Sequence, residues 1–244
     1  MTLSKTPDGA RTGAAAERDE MNAPLVRGLV DTGRWLLEQG YHFTTVTPAT
    51  HERVNARPGG ERARSLRDVF GWSRPFEPSM LPTAIERAMR EAALLSPAAG
   101  GLLRSEVRFS SLEGLLFAHS AYPTTAQDAV FFGPDTSRFA ALIGQALERQ
   151  PLQPGARIVD VGCGAGPGGL IAARQSGVPM TVVLADINER ALEFARANAV
   201  LADVGSVEFR RSDLFLQVNG EFDLIVANPP YLNDDAERTY RHGG

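Results

Sequence analysis

This 244-residue sequence contains a single cysteine, and its few histidines are not clustered. The single cysteine, Cys163, cannot form a disulfide bond within the chain, which fits the reducing conditions of the cytoplasm. We interpret it as a small loop residue rather than a nucleophile, because no histidine or other base accompanies it. The four histidines, at positions 42, 51, 119 and 242, lack the spacing of zinc ligands. We therefore expect a cytoplasmic protein without a bound metal.

Long apolar runs and an excess of positive charge are absent as well. No run reaches the ~18 apolar residues of a membrane-spanning helix, and residues 1–22 lack the apolar core of a secretory signal. We interpret residues 1–22 as a disordered tail. The formal net charge is -4, with the acidic excess in residues 151–244, which argues against a generally basic nucleic-acid-binding chain.

Short helical patterns dominate the first part of residues 23–121. Apolar spacing predicts an amphipathic helix over residues 23–40, and further helices are predicted over 61–70 and 82–95. Residues 44–60 are rich in Pro, Thr, Asn and Gly, and are predicted to form a loop.

A β-hairpin is predicted to follow these helices. Val107 and Phe109 alternate with polar neighbours, a second alternating run covers residues 114–121, and residues 110–113 are predicted to form the turn. Helices followed by a hairpin resemble a winged-helix module. Two interpretations stay open: the module packs on the rest of the chain or on another protein, or it contacts nucleic acid through arginines within residues 53–74, which acidic residues interrupt.

From residue 122 onward, strand and helix patterns alternate. The predicted elements are a helix over 137–150, a strand over 157–161, a helix over 168–175, a strand over 180–185, a helix over 189–201, and strands over 207–210 and 222–227. This order predicts an α/β fold in residues 122–244, a Rossmann-like, doubly wound parallel sheet. The preceding residues 23–121 are predicted to form a smaller helical, winged-helix-like α+β domain.

A glycine-rich turn follows the first strand of this predicted sheet. Gly162, Gly164 and Gly166 allow the backbone to turn tightly and to approach a nucleotide-like ligand without an intervening Cβ. Such a turn alone could equally hold NAD or FAD. Asp160 stands where dinucleotide-binding proteins usually have an apolar residue, and Asp186 ends the next strand, where a carboxylate can accept hydrogen bonds from both ribose hydroxyls.

The segment Asn228-Pro229-Pro230-Tyr231 comes directly after the last predicted strand. The nitrogen of an amide or an exocyclic amine is a poor nucleophile, because its lone pair is delocalised. Two hydrogen-bond acceptors that bind its N–H groups can orient it, and proline rings stiffen the turn that carries those acceptors. The alternative is a proline-rich loop that serves only the fold.

These motifs together resemble the class I S-adenosylmethionine-dependent N-methyltransferases, above all the HemK-like protein-glutamine methyltransferases and the related Asn-Pro-Pro-Tyr base methyltransferases. The resemblance covers residues 128–244 and implies S-adenosyl-L-methionine as the cofactor. Carried over residue by residue, the implied cofactor-binding positions are Asp160, Gly162, Gly164, Gly166, Asp186, Ile187, Asp213, Leu214 and Asn228.

The resemblance also implies a role for each cofactor-binding side chain. Asp160 would help to hold the ammonium group, Asp186 would bind the ribose, and Ile187 would pack on the adenine. The Asp213 carboxylate and the Leu214 N–H would bind the edge of the adenine. The alternative for Asp186 and Asp213 is a structural role, in which Asp213 caps a turn and Asp186 caps the following helix.

At the acceptor site, the resemblance implies that the Asn228 side-chain oxygen and a carbonyl of Pro229 or Pro230 bind the two N–H groups, while Tyr231 stacks on the planar target. The leading prediction is an N-methyltransferase that acts on a glutamine side chain of a protein. Two alternatives stay open: N-methylation of an exocyclic amine of adenine or guanine in RNA or DNA, and a binding module that does no chemistry.

Two further segments bear on this resemblance. Gly133-Pro134-Asp135-Thr136 is similar to the segment that precedes the catalytic domain of the glutamine methyltransferases, although Asp135 also fits a helix N-cap. The sequence stops at Gly244, and the sheet of this family has more strands than are predicted here. We therefore expect a C-terminally truncated chain in which strand 222–227 is an exposed, association-prone edge.

Overall fold

The computed structural model describes residues 21–229. The helices are α1 Pro24–Glu38, α2 Pro48–Asn55, α3 Leu66–Phe70, α4 Thr83–Glu91, α5 Pro134–Arg149, α6 Pro167–Ser176 and α7 Glu189–Leu201. The strands are β1 Leu95–Pro97, β2 Leu103–Ser105, β3 Val107–Leu112, β4 Leu115–Ser120, β5 Arg157–Val161, β6 Thr181–Asp186, β7 Val207–Arg211 and β8 Leu224–Ala227. Within the described residues, no helix is long and apolar enough to cross a membrane.

A parallel four-stranded sheet with the order β7-β6-β5-β8 organises the C-terminal part of the described chain. The central strands β5 and β6 are made of buried, mostly β-branched residues, as expected for strands covered on both faces. Helices α6 and α7 connect β5 to β6 and β6 to β7. The predicted α/β fold with a Rossmann-like parallel sheet is therefore confirmed.

Strand β8 lies at one edge of this sheet in the described part of the chain, where it pairs with β5. It begins at Leu224, two residues later than predicted, and the side chain of Ile225 is 55% exposed. The sheet thus has an apolar edge at the strand that precedes Asn228.

The N-terminal region packs closely on this sheet domain. Helix α1 contacts both α4 and α7, and one hydrophobic cluster includes Leu29 and Leu36 of α1, Phe109 of β3 and Phe194 of α7. One hydrophobic core therefore runs through both regions. The proposed domain boundary at residue 121 stays a prediction. The winged-helix interpretation also stays a prediction, and the tail at residues 1–22 lies almost wholly outside the described residues.

Two predictions for the N-terminal region were wrong. The predicted loop over residues 44–60 contains α2, which Pro48 begins and which the side chain of Thr47 caps by accepting a hydrogen bond from the Thr50 N–H. Residues 110–112 of the predicted turn at 110–113 belong to β3 and pair with β4, and buried Ser110 also contacts Nε2 of His119 at 2.7 Å across the hairpin. The polar composition of residues 110–113 does not reveal that a partner such as His119 lies across the hairpin.

Boundaries differ at other places too, and the helices predicted over 61–70 and 82–95 cover only Leu66–Phe70 and Thr83–Glu91. The short hairpin of β1 and β2 was not predicted, and α5 begins at Pro134 rather than residue 137. Gly133 takes the N-cap position there, and its N–H donates to Oγ1 of Thr136. Asp135 therefore lies in the first turn of α5 and is not its N-cap.

Candidate cofactor and acceptor site

The carboxyl ends of the parallel strands bring the predicted site residues to one edge of the sheet. In the strand register, Val161 of β5 lies opposite Ala185 of β6 on one side and Ala227 of β8 on the other. The residues that follow these positions are therefore neighbours in space. They are Gly162, Asp186 and Asn228, and the fold brings them together as the sequence predicts.

The glycine-rich turn presents bare backbone at this edge. Gly162, Gly164 and Gly166 have φ angles of 67°, 53° and 82°, a left-handed region that residues with a Cβ avoid. A Cβ added to Gly162 or Gly164 would meet no atom within 4 Å. The turn therefore faces open space with main-chain groups that a ligand can approach.

Asp160 lies beneath the turn and holds the start of α6. Its side chain is 2% exposed, and Oδ2 accepts a hydrogen bond from the Gly169 N–H at 2.8 Å. A Cβ on Gly168 would lie 2.6 Å from the same oxygen, so glycine is required there for close packing. The pKa of Asp160 is raised from 3.8 to about 7, chiefly by burial and also by nearby Asp186, while the bond from Gly169 opposes both effects.

Asp186 joins the turn to the end of β6. One carboxylate oxygen accepts from the Gly164 N–H at 2.8 Å, and the other accepts from the Asn188 N–H at 2.9 Å. Burial raises the pKa of Asp186. The cap of α7 is Asn188, whose side chain accepts from the Arg190 N–H, so the interpretation of Asp186 as the helix cap is wrong.

The three residues predicted to contact the adenine lie close to Asp186. The apolar side chain of Ile187 is 55% exposed beside it. The Ser212 N–H donates to the Asp186 carbonyl at 3.0 Å, which places the turn of Asp213 and Leu214 next to the end of β6. Leu214 has a φ of 47°. The side chains of Asp213 and Leu214 are exposed, so a ligand can reach both.

The acceptor motif is described in part. Asn228 is half-buried and Pro229 is exposed, directly after β8. The predicted contributions of Pro230 and Tyr231 lie outside the described residues. The strand register therefore places Asn228 at the strand end beside Gly162, and its role, like the rest of the motif, stays a prediction.

Cys163 does not take part in this chemistry. It is buried, its Sγ donates a weak hydrogen bond to the Gly164 carbonyl at 3.6 Å, and burial raises its pKa well above the ordinary value. A thiol in such surroundings is inert. In residues 21–229, no group of His, Cys, Asp and Glu side chains is arranged to hold a metal ion.

The sequence did not indicate two sets of polar contacts at this edge. Nδ2 of Asn188 donates to the carbonyl of Asp128 at 2.9 Å, and Arg190 approaches the Asp128 carboxylate at 3.5 Å. Asn198, within α7, contacts both the glycine-rich turn and β4. Each contact joins residues at least 33 positions apart, so no local pattern indicated it.

Residues 125–241 match the family model described as "Methyltransferase small domain". A ribosomal protein L11 methyltransferase of Thermotoga neapolitana is 32% identical over 115 residues, which are 47% of this chain and 36% of that protein. A release factor glutamine methyltransferase of Aliivibrio fischeri is 36% identical over 103 residues, 41% of this chain and 34% of that protein. The alignments thus span about a third of each relative's length.

Among solved structures, the ribosomal protein L11 methylase of Lactobacillus delbrueckii subsp. bulgaricus is 30% identical with a TM-score of 0.36. The alignment covers 41% of this chain and 49% of that one.

Proposed function

We propose that the chain is a class I S-adenosylmethionine-dependent methyltransferase that methylates the nitrogen of a planar amide, that of a glutamine side chain in a protein. The proposal proceeds from the match of residues 125–241 to the methyltransferase small domain. The observation that carries the proposal is the strand register, which sets Asn228 beside Gly162 and Gly162 beside Asp186. An amide-orienting group and a cofactor-binding edge then share one site.

The described residues fit the cofactor of this family. The open backbone at Gly162 and Gly164 suits the methionine part, the Asp186 carboxylate suits ribose hydroxyls, and exposed Ile187 suits an apolar ring face. When bound, S-adenosylmethionine supplies an electrophilic methyl group on a sulfonium.

The role of the chain is to position the acceptor. The Asn228 side-chain oxygen accepts an N–H of the acceptor amide and aligns its nitrogen for in-line attack. With the cofactor bound, transfer would join this nitrogen to the methyl carbon while the carbon–sulfur bond broke with its electron pair left on sulfur, and the nitrogen would lose one proton to water. No side chain is needed as a general base, because the methylated nitrogen is acidic.

A protein acceptor is favoured by the charges of the N-terminal region. Arg62 pairs with Glu77 at 2.7 Å and Arg74 with Asp68 at 2.7 Å, so part of the arginine run that favoured nucleic acid is neutralised. The names of the related proteins, a release factor glutamine methyltransferase and a ribosomal protein L11 methyltransferase, also support a protein acceptor. N-methylation of an adenine or guanine amine is the alternative.

Two experiments test the proposal. Calorimetry should show that S-adenosylhomocysteine binds the chain, with Asp186→Ala weakening binding by ~1–3 kcal/mol, the scale of leaving buried donors unpaired. Labelled-methyl transfer to cell protein and to RNA should label protein, and Asn228→Ala should abolish labelling at nearly unchanged cofactor affinity.

Other outcomes would decide against the proposal. Labelling confined to RNA would favour the base-methylating alternative, and cofactor binding without any transfer would favour a binding module. Tight NAD binding without S-adenosylhomocysteine binding would overturn the methyltransferase assignment, and substantial turnover by Asn228→Ala would show that the motif is only a turn.

A further inference from the structure

A single buried amide connects the cofactor edge to the N-terminal hairpin. Asn198 of α7 is fully buried, and its carboxamide makes three hydrogen bonds. Oδ1 accepts from the Ala118 N–H at 2.7 Å, while Nδ2 donates to the Ala118 carbonyl at 3.0 Å and to the Ala165 carbonyl at 2.9 Å. Oδ1 and Nδ2 of Asn198 thus use most of their hydrogen-bonding capacity on main-chain groups.

On one side, Asn198 holds the glycine-rich turn. Ala165 lies between Gly164 and Gly166, two residues with positive φ and no side chain to anchor them. The Gly164 N–H donates to Asp186 and the Gly166 N–H donates to the Cys163 carbonyl. The bond from Asn198 to Ala165 ties this turn to α7, a helix 33 residues further along the chain.

On the other side, Asn198 completes the outer edge of β4. Ala118 pairs with Phe109 of β3, yet its own N–H and carbonyl both point to Asn198. The carboxamide therefore acts toward β4 as the peptide of a neighbouring strand would. Because Ala118 is buried, removing the amide leaves two main-chain groups without partners.

We propose that Asn198 is a positioning residue, which orients the turn peptides that receive the methionine part of the cofactor and links cofactor affinity to docking of the β3–β4 hairpin. The inference rests on the proposed function, because it assumes that the turn binds S-adenosylmethionine. It assigns the N-terminal region a part in cofactor binding that neither the family match nor the motifs indicate.

A matched pair of variants separates positioning from general stability. Asn198→Ala removes the amide, whereas Ser110→Ala removes a buried hydroxyl of the same hairpin, which bonds Thr45 and His119 and does not touch the turn. Both should lower the melting temperature. Only Asn198→Ala should weaken S-adenosylhomocysteine binding and raise KM for S-adenosylmethionine, each by about tenfold, with a smaller change in kcat.

A measurement on the unaltered chain does not depend on whether a variant folds. In residue-resolved hydrogen exchange, added S-adenosylhomocysteine should protect the Ala118 amide together with those of Gly164 and Gly166. Protection confined to the turn, unchanged affinity of Asn198→Ala, or an equal loss of affinity in Ser110→Ala would each overturn the inference. If the unaltered chain binds no S-adenosylhomocysteine, the proposed function itself is wrong and this inference falls with it.

Discussion

The N-terminal hairpin region and the cofactor edge both bury titratable groups, but of opposite kinds. In the hairpin region the groups are bases: Arg108 is 4% exposed, and His51 and His119 are buried beside it. Nη1 of Arg108 faces Nδ1 of His51 at 3.4 Å, and Nε donates to the Ser120 carbonyl at 3.4 Å. Within the described part of the chain, no carboxylate contacts Arg108.

At the cofactor edge the buried groups are the acids Asp160 and Asp186, and their partners are main-chain N–H groups. Burial raises the pKa of both acids and lowers the pKa of His51 and His119, in each case toward the neutral form. The two regions should therefore respond to pH in opposite directions.

The largest expected effect is at Asp160, whose pKa is about 7 in the fold against an ordinary 3.8. Below the ordinary pKa both states are protonated. As pH rises, the unfolded chain releases this proton first, so the stability from Asp160 is lost by about pH 7, at most ~4 kcal/mol. In Asp160→Asn this loss should be absent, as urea unfolding between about pH 5 and pH 8 would measure.

Asparagine can keep the acceptor oxygen for the Gly169 N–H, so the comparison isolates the charge. Parallel stability curves for Asp160→Asn and the unaltered chain would show that the carboxyl is not held neutral by burial.

The next effect is at His51, with the opposite sign. Burial and Arg108 lower its pKa from 6.5 to about 4. Its contribution, ~3 kcal/mol at most, is present above pH 6.5 and lost as pH falls toward about 4, because the unfolded chain takes up the proton first. His51→Gln should reduce the acid sensitivity of the hairpin region.

Trp72 reports on this prediction, since its ring centroid lies 5.3 Å from that of His51. Its fluorescence can be followed alone in a Trp35→Phe background. Exposed His42 is the matched control, and His42→Gln should leave the acid transition in place. An unchanged transition in His51→Gln would rule out His51 as its source.

The smallest effect concerns the contact of Asn188 with Asp128 at the cofactor edge. Asn188→Ala removes the cap of α7 and the bond to the Asp128 carbonyl, and should cost ~1–2 kcal/mol of unfolding free energy. Asp128→Ala removes an exposed ion pair with Arg190 but keeps that carbonyl, and should cost less than ~0.5 kcal/mol. Equal losses in thermal melts would show that the side-chain pair dominates.

Much of the cofactor edge could be predicted because its signals are local. Gly162 and Gly164 adopt positive φ angles, which favour glycine. Asp186 ends β6, a strand that can be recognised from its apolar residues. The hairpin was harder, because Ser110 and Ser111 look like turn residues until His119 is seen across the strand pair. Asn198 gave no signal, since it bonds Ala118 from 80 residues away.

The order of strands, helices, glycines and acidic residues follows from the sequence, because each of these features depends on residues only a few positions apart. That order determined the parallel sheet, its cofactor edge and the resemblance that the family match supports. The tertiary structure decided which amide holds the turn, which hairpin joins it, and which buried bases and acids become neutral. These depend on distances between remote segments, and only packing sets such distances.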